Sequence, residues 1–375
     1  MKIAVITRHA IVNYGALLQT IATQQVIEQL GHRCQIIDYI REDETYYNYE
    51  KTVLRSKDRW KNSAWKRAIY LALRMPPSVI AGKKFEKERK KRLALTPAYS
   101  SPEQLEQELP DADVYVTGSD QVWGPVADGS VDCAYLLSFV PDYKRKLSYA
   151  ASFGRAKLTE DMQAYYKQWL SRYDQITVRE DSAVELIKDM GLSATQVLDP
   201  TLLLSKDYWD TYTARPKTGK YVLVYQLHND KSLGAYAKKV AKSMGLPLIR
   251  ISPTFHQVFR QGRLVFAPSL EKMLTYIKHA ECVITDSFHG TVFAMTFNTP
   301  FVEVLPNNNT GTRNLSILKL TGLEDRILTD HNDIELADKP IDYARVNRKL
   351  ELEREKSLSV LKSMIQDLSF TECEQ

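Results

Sequence analysis

One short segment constrains the fold more than any other part of this 375-residue chain. Residues 282–284 form an apolar run typical of a buried parallel strand, and residues 301–304 are predicted to form a second strand. Between them, Asp286 or Ser287 can cap a helix, which Pro300 would end. A strand, a helix and a second strand joined by short links require a parallel sheet covered by helices.

The same alternation runs through most of the chain. Predicted strands lie at residues 3–7, 34–39, 114–117, 175–178, 221–226 and 247–251, with a strand and turn at residues 147–154. Predicted helices lie at residues 16–30, 232–244 and 269–280. A polar, aromatic stretch at residues 206–220 interrupts the pattern. We therefore predict an α/β fold with two domains, residues 1–205 and 206–340, followed by a helical segment at residues 341–375, with a binding site between the domains.

Composition excludes several classes of protein. The four cysteines are far apart and form no C-x-x-C pair, which argues against a disulfide scaffold or a zinc site and fits a reducing compartment. The seven histidines are scattered, so we predict no metal site. The N-terminus turns polar too soon for a signal peptide, and no apolar run is long enough to span a bilayer. We expect a cytoplasmic protein.

The net charge of +5 comes from one segment. Residues 51–92 hold fifteen Lys or Arg and three acidic residues, a local charge of +12 that leaves −7 for the remainder. We predict a helical insertion at residues 45–95 of the first domain. Basic side chains around Trp60 and Trp65 are typical of helices that lie on anionic membranes, although an ordinary solvated face has the same composition. The aromatic spacing is helical, so nucleic acid is not an expected partner.

An ionisable side chain follows the strand at residues 282–284. His289 and Gly290 fall in the first turn of the predicted helix, after Ser287 and Phe288, at the sheet edge where α/β proteins bind ligands. The free N–H groups and the dipole of the helix favour an anion there. The alternative is a capped helix whose histidine only packs.

Two arginines occupy similar positions. Arg179 follows a predicted strand and precedes a helix cap, from which a guanidinium can bind a carboxylate or phosphate through two hydrogen bonds. A salt bridge to Glu180 or Asp181 is the alternative. Arg313 ends a polar loop, where it either binds a second anionic group or remains a surface side chain.

Polar and aromatic side chains at another strand end suit a sugar. Ser119, Asp120 and Gln121 offer hydrogen bonds to hydroxyl groups. Trp123 offers a ring to the apolar C–H faces of a sugar. The alternative is a packed loop in which Asp120 bonds to local N–H groups.

The first strand–helix junction contains Asn13, Tyr14 and Gly15. It lacks the G-x-G-x-x-G spacing, so a dinucleotide site is poorly supported. Gly15 either presents backbone N–H groups to a ligand or is a turn glycine. His9 and His228 also follow strands, and solvent exposure is the simpler expectation for both.

Taken together, these motifs resemble those of the polysaccharide pyruvyl transferase family. They occur in family order over about residues 1–330. The matching motifs are NYGALLQ (13–19), LGH (30–32) with IDY (37–39), VTGSDQVW (116–123), SYAASFG (148–154), VREDS (178–182), VLDPT (197–201) and TDSFHGT (285–291).

The resemblance implies two Rossmann-like domains in a GT-B-like arrangement, with the last helix crossing back to the first domain. It implies transfer of the enolpyruvyl unit of phosphoenolpyruvate, as co-substrate and without a cofactor, to a lipid-linked sugar in exopolysaccharide or capsule synthesis, at the inner face of the membrane. Some relatives have an arginine where this chain has Ser287, so one donor contact is missing or comes from Arg313.

Site roles follow from the resemblance together with the chemistry. His289 is the expected proton donor, because its pKa range suits general acid catalysis, and Asp120 or Asp286 is the expected base. The expected donor-binding residues are Arg179, Ser287, Phe288, His289, Gly290 and Arg313. The expected acceptor-binding residues are Asn13, Tyr14, Gly15, Ser119, Gln121, Trp123 and Ser152.

Two other functions remain open from the sequence. A GT-B glycosyltransferase using a nucleotide sugar would share the fold and the cleft. A non-catalytic sugar-binding component of a polysaccharide assembly complex would bind without releasing phosphate.

Overall fold

The computed structural model describes residues 1–55, 63–126, 128–215, 219–306 and 311–366. The predictions for Trp60, for residues 307–310 of the polar loop and for the helix beyond residue 366 lie outside the described residues.

The described strands form two sheets in which every pair is parallel. The strands are β1 (Lys2–Ile6), β2 (Arg33–Tyr39), β3 (Leu95–Tyr99), β4 (Val114–Thr117), β5 (Arg145–Ala151), β6 (Gln175–Val178), β7 (Thr195–Gln196), β8 (Val222–Tyr225), β9 (Leu248–Ser252), β10 (Arg263–Phe266), β11 (Cys282–Thr285) and β12 (Phe301–Glu303). The first sheet has the order β3-β2-β1-β4-β5-β6-β7, and the second has the order β10-β9-β8-β11-β12. The predicted α/β class with two parallel sheets is confirmed.

Helices connect most of the strands. They are α1 (Tyr14–Gln29), α2 (Tyr49–Arg55), α3 (Ala64–Arg92), α4 (Pro102–Gln107), α5 (Glu160–Leu170), α6 (Asp181–Asp189), α7 (Pro200–Leu203), α8 (Lys206–Asp210), α9 (Lys231–Ser243), α10 (Leu270–Lys278), α11 (Phe288–Phe297), α12 (Thr312–Thr321) and α13 (Tyr343–Gln366).

The sequence pattern does not predict β3, β7 and β10, and all three lie at the edge of a sheet. An edge strand buries fewer side chains: β3 and β7 have no continuous apolar run, and the short run at residues 264–266 of β10 is only partly buried. β3 also contains Pro97, which an edge position tolerates because one side of the strand makes no ladder hydrogen bonds.

Helix α3 runs through two prolines that sequence rules would place at a break. Contacts on both sides of the prolines hold it against the second half of the molecule. Arg74 donates to Nδ1 of His256 at 2.6 Å, and Lys84 donates to the carbonyl of Ala267 at 3.1 Å.

Helix α11 lies at the centre of the molecule. All of its residues except Thr296 are buried, so it lacks the polar face of a surface helix. Phe293 packs edge-on against Trp209 of α8, with 5.0 Å between the ring centroids. One hydrophobic core runs from the first sheet through this helix to the second, so the carboxyl ends of the two sheets are held together.

The last helix, α13, contacts the first half of the chain. The guanidinium of Arg145 donates to the carbonyls of Met364 and Ile365 at 2.7 and 3.2 Å. The backbone N–H of Leu198 donates to the Ser357 hydroxyl at 3.0 Å. Leu361 and Ile365 are buried in the same core as the first sheet.

Candidate active site

The start of α11 is fixed by its own side chains. The Ser287 hydroxyl caps the helix by accepting the N–H of Gly290 at 3.3 Å. The Thr285 hydroxyl accepts the N–H of Ser287 at 3.0 Å. His289 is therefore the second residue of a helix whose first turn cannot shift without breaking these bonds.

The imidazole of His289 lies against the first turn of α1, in the other half of the molecule. A side-chain carbon at Gly15 would lie 2.8 Å from Cε1 of His289 and closer still to Nδ1, so glycine alone fits without displacing the ring. Asn13 fixes this turn by accepting the N–H groups of Gly15 and Ala16 at 2.8 and 3.3 Å. The predicted Asn13–Gly15 and His289 motifs thus meet at one place.

A buried carboxylate, Asp199, lies near Nε2 of His289. Its Oδ2 is 3.7 Å from that nitrogen and accepts from Arg179 at 2.8 Å and from the Ser119 hydroxyl at 2.9 Å. Burial alone would raise the pKa of Asp199, but His289 and Arg179 outweigh it and hold that pKa well below its usual range. Asp199 is therefore a fixed anion beside the imidazole.

Sequence reasoning assigned no site role to Asp199. An Asp before Pro200 at a helix start is typical of an N-cap, and Oδ1 does accept the N–H of Thr201 at 3.0 Å. Helix capping alone accounts for an Asp at this position. The sequence therefore does not indicate that Oδ2 contacts Arg179 and lies near His289.

Arg179 is buried in a group of charged residues that also contains Asp120, Glu180, Asp199, His289 and Arg313, which we call the ion cluster. Nη1 bonds to Asp199, Nη2 lies 3.6 Å from Asp120, and Nε lies 3.9 Å from Glu180. The alternative of a salt bridge to a neighbour in sequence therefore describes only its longest contact. Its principal partner comes from another strand end.

Arg313 reaches the same cluster from α12, with Nη1 3.9 Å from Asp120. The Phe288 ring lies near both guanidinium groups, with its centroid 4.4 Å from Cζ of Arg179 and 6.0 Å from Cζ of Arg313. Burial, and then the charge of Arg179, lower the pKa of Arg313 to about 10. A bound anion close to both guanidinium groups would offset the repulsion between their positive charges.

Several buried nitrogens at this place have no hydrogen-bond partner among the described residues. They are Nε and Nη2 of Arg179, Nε of Arg313 and Nε2 of His289. Buried polar groups are normally paired, and guanidinium groups pair best with carboxylates and phosphates. The arrangement therefore suits a small anion with several oxygen atoms.

Asp120 faces the same cluster in a strained backbone conformation. Its φ of 80° is in the region that favours glycine, and such strain is concentrated at functional sites. Burial would raise the pKa of Asp120, but Arg179, His289 and Arg313 lower it below its usual value. Asp120 is thus ionised and close to the unpaired nitrogens.

Asp286, the other predicted base, is occupied elsewhere. Its carboxylate accepts the N–H groups of Leu227 and His228 at 2.7 and 2.9 Å and lies 3.3 Å from Nδ1 of His228. It ties the ends of β8 and β11 together beside a separate depression lined by residues 304–306. Of the two candidates, only Asp120 lies in the ion cluster.

Glu303 links the helices that carry His289 and Arg313. The hydroxyl of Thr291 in α11 donates to one of its oxygens, and the amide of Asn314 in α12 donates to the other at 2.6 Å. Burial raises the pKa of Glu303 to about 8, and these hydrogen bonds offset only part of that effect. This residue was also not singled out from the sequence.

Two predicted acceptor contacts are wrong. Trp123 is 0% exposed, packs against Phe153 in the core and donates its indole N–H to the carbonyl of Tyr135, so its ring cannot meet a sugar. Tyr14 is also buried, and its hydroxyl donates to the carbonyl of Pro268 at 2.7 Å, which links the two halves.

The two serines predicted to bind the acceptor instead bond to buried carboxylates of the site. Ser119 is buried on Asp199, and Ser152 is buried with its hydroxyl donating to Glu180 at 2.6 Å, so neither can contact an acceptor directly. Gln121 remains partly exposed, with its amide lying over Gly154. The packed-loop alternative thus holds for part of residues 118–123.

A cleft of about 640 Å³ opens beside the ion cluster. Asn13 lines it and is two residues from Gly15, which touches His289. One wall comes from α2, α3 and the loop before them, and the other from residues 253–259 of the second half. Its lining includes Tyr46, Tyr49, Tyr70, Phe255 and Phe259 together with Arg8, Glu44, Glu50 and Arg74.

Three further observations concern the described part of the chain. His9 is buried and lies 3.2 Å from Asp38, which also pairs with Arg89, so its expected solvent exposure is wrong. Within the same residues there is no group of three or more side chains able to hold a metal ion. None of the described helices is long and apolar enough to cross a membrane.

Comparison with known proteins gives a family match over most of the chain. The family described as "Polysaccharide pyruvyl transferase" matches residues 13–309, which include every motif of the ion cluster except Arg313. No curated protein matches the sequence.

Solved structures share the architecture at low sequence identity. MnaA of S. aureus, solved with UDP, has a TM-score of 0.55 and 12% identity over 100% of this chain and 98% of that one. A putative UDP-N-acetylglucosamine 2-epimerase of Listeria monocytogenes has a TM-score of 0.53 and 10% identity over 98% and 97% of the two chains. The UDP-GlcNAc 2-epimerase of Methanocaldococcus jannaschii has a TM-score of 0.52 and 12% identity over 98% and 100%. These likenesses show a GT-B fold.

Proposed function

The chain belongs to the polysaccharide pyruvyl transferase family, and we propose that it transfers the enolpyruvyl unit of phosphoenolpyruvate to a sugar, forming a pyruvate ketal and releasing phosphate. The observation that carries this proposal is the group of buried guanidinium and imidazole nitrogens that make no hydrogen bond to the described residues. The acceptor expected from the family resemblance is a lipid-linked saccharide.

The donor suits the charge and the shape of this group. Phosphoenolpyruvate has a carboxylate and a phosphate on adjacent atoms, and both bind guanidinium groups through paired hydrogen bonds. Arg179 and Arg313 both lie near Phe288 and approach the site from the first and the second half of the chain. One guanidinium for each anionic group is the simplest arrangement, and Asp120, whose contacts to both are longer than hydrogen bonds, would move aside.

His289 is the proton donor in this proposal. Its Nε2 makes no hydrogen bond to the described residues and lies 3.7 Å from Oδ2 of Asp199, the oxygen that also accepts from Arg179. Gly15 and Asp199 hold the ring in one orientation, which is what positioned proton transfer requires. We assign Asp199 as a positioning residue, because it is buried and its contacts are to the imidazole, to Arg179 and to two hydroxyl groups.

The bond changes balance with the residues available. A proton from His289 adds to the methylene carbon, and the first sugar hydroxyl adds to the neighbouring carbon while losing its proton to Asp120. The carbon–oxygen bond to phosphate then breaks as the second hydroxyl adds. The proton taken up by Asp120 returns to His289, and the proton of the second hydroxyl leaves with phosphate. The products are a ketal that carries a methyl group and inorganic phosphate.

The cleft beside Asn13 is the place we propose for the acceptor. Its aromatic and charged lining is of the kind that binds saccharides, which present both apolar C–H faces and hydroxyl groups. Asn13 lines this cleft and remains a proposed acceptor contact, whereas Gln121 does not line it and Trp123 and Tyr14 are buried.

The test is phosphate release from phosphoenolpyruvate in the presence of a panel of soluble and lipid-linked oligosaccharides, with mass spectrometry of the sugar product. We expect release that depends on the acceptor and a product heavier by one pyruvate ketal. The control is His289→Gln, which should bind both substrates and turn over slowly.

Two results would favour the other functions. Consumption of a nucleotide sugar with no use of phosphoenolpyruvate would favour a glycosyltransferase, a possibility that the GT-B fold leaves open. Saturable sugar binding without phosphate release from any acceptor would favour a non-catalytic component.

A further inference from the structure

The outward side of α3 is unusual for a surface helix because it exposes large apolar side chains. Trp65 is 65% exposed and Leu73 is 71% exposed, and Ile69 and Ile80 are about half exposed. Single exposed apolar residues are common, but a group on one helix marks an interaction surface. We call these four residues the apolar stripe.

The apolar stripe continues into a basic stripe on the same side of the helix. At 3.6 residues per turn, Lys83, Lys87 and Lys91 fall within the same arc of about 100° as Trp65, Ile69, Leu73 and Ile80. All three lysines are exposed. One side of α3 is therefore apolar over its first half and basic over its second half.

The opposite side of α3 is already committed to the protein. Phe85 and Arg89 are buried, Arg92 pairs with Glu271, and Arg74 and Lys84 bond to residues 256 and 267. The apolar stripe therefore cannot turn inward without breaking these contacts.

The charge around the apolar stripe has a single sign. Residues 64–85 contain Lys66, Arg67, Arg74, Lys83 and Lys84 and no acidic residue. A protein partner or a second copy of this chain would have to supply an acidic and apolar face. An anionic bilayer supplies both the negative charge and the apolar interior, and tryptophan favours the boundary between them.

The geometry points to an anionic lipid bilayer as the partner of this face: we propose that the apolar stripe enters the headgroup region while Lys83, Lys87 and Lys91 contact the lipid phosphates. Ile69 and Leu73 also line the mouth of the 640 Å³ cleft, and Phe259, 90% exposed, lies on its other lip. Docking would therefore place the cleft opening at the membrane surface. This proposal stands on α3 alone and does not depend on the chemistry at His289.

The test is sedimentation of the full-length protein with vesicles of phosphatidylcholine, with and without phosphatidylglycerol, at low and physiological salt. We expect binding that requires phosphatidylglycerol. The triple change Trp65→Ser, Ile69→Ser, Leu73→Ser should weaken partition by about tenfold or more, because it removes most of the inserted apolar area. Lys83→Gln, Lys87→Gln, Lys91→Gln should weaken it by a similar factor and reduce its salt dependence.

Matched variants test whether binding depends on where the apolar and basic side chains lie or only on how many the protein has. Tyr143→Ser with Leu352→Ser removes equally exposed apolar groups elsewhere, and Lys231→Gln, Lys238→Gln, Lys242→Gln removes the same charge from α9. Both should bind vesicles like the wild type. Quenching by lipids brominated in the acyl chain should be strong in a Trp60→Phe, Trp169→Phe protein and lost when Trp65→Phe is added, because the remaining Trp123 and Trp209 are buried.

The proposal fails if the wild type ignores anionic vesicles or if the matched variants lose binding equally. It also fails if the apolar triple variant binds unchanged. A dimer that becomes monomeric in that variant, without vesicle binding by the wild type, would instead assign the face to a second copy of the chain.

Discussion

His289 and Gly15 are in contact across the two halves of the molecule, and the imidazole occupies the space that any side chain at position 15 would need. Each residue begins a helix, α11 and α1, whose N-cap is fixed by its own hydrogen bonds. The position of the proposed proton donor therefore depends on how closely the two halves approach each other.

Gly15→Ala should displace the imidazole. We expect activity to fall by roughly 100-fold, since a shift of about 1 Å in a catalytic group has that effect, and stability to fall by about 1–3 kcal/mol from overpacking. Steady-state kinetics and urea unfolding measure the two effects. Gly219→Ala is the matched control, because nothing lies within 4 Å of a side chain there. Full activity in Gly15→Ala would contradict the contact.

His289→Gln should remove proton delivery and keep the fold. General acid catalysis contributes about 10²–10⁴-fold, so turnover should fall by that factor with little change in donor affinity. His32→Gln, at a turn far from the cluster, should behave as the wild type. A His289→Gln protein with normal kcat would show that another group moves the proton.

Arg179→Ala should destabilise the protein as well as weaken donor binding. Removing one partner of a buried ion pair costs about 3–5 kcal/mol, because Asp199 and Asp120 lose their compensating charge. Arg179→Lys keeps the charge and should lose less stability, although it cannot form a planar double hydrogen bond. Chemical denaturation of both variants, with exposed Arg33→Lys as control, tests the expected order of stability, in which Arg179→Ala is the least stable. Equal stability of Arg179→Ala and the wild type would show that Arg179 does not form the buried ion pairs with Asp199 and Asp120.

Glu303 predicts a pH dependence of stability. Burial raises the pKa of Glu303 from 4.5 to about 8, so the folded protein keeps a proton that the unfolded chain releases. This contribution is complete below about pH 4.5 and is lost as the pH rises to about 8, with a slope of up to about 1.4 kcal/mol per pH unit.

Glu303→Gln should remove that slope. Its amide can accept from Asn314 and donate to Thr291, so both hydrogen bonds are kept. Urea unfolding of the wild type and the variant at several pH values from 5 to 9 makes the comparison, and exposed Glu324→Gln should follow the wild type. Parallel curves for the wild type and Glu303→Gln would show that Glu303 is ionised in the fold.

The sequence was sufficient where the signal is local. The apolar run at residues 282–284 and the cap before His289 lie within one βαβ unit, so the strand, the helix start and the position of the histidine were all predictable. Each parallel sheet also brings the carboxyl ends of its strands to one edge, and a site between two such domains is why Arg179 and His289 were expected near each other.

The sequence was insufficient where the site depends on contacts between distant segments. Asp199 could only be read as a helix cap, because its pairing with Arg179 comes from another strand end. The direction of Trp123 depends on the chain path after Asp120, whose positive φ is not expected of a residue other than glycine. An aromatic residue at a strand end has the same spacing whether it enters the core or the cleft.

Calorimetric titration of phosphoenolpyruvate, with UDP titrated in parallel, tests the central claim most directly. The account predicts saturable binding of phosphoenolpyruvate at one site per chain, weakened by about tenfold or more in Arg313→Gln, because a hydrogen bond to a charged group is worth about 1.5–3 kcal/mol. Saturable binding of UDP that depends on Arg313, with no binding of phosphoenolpyruvate, would contradict it.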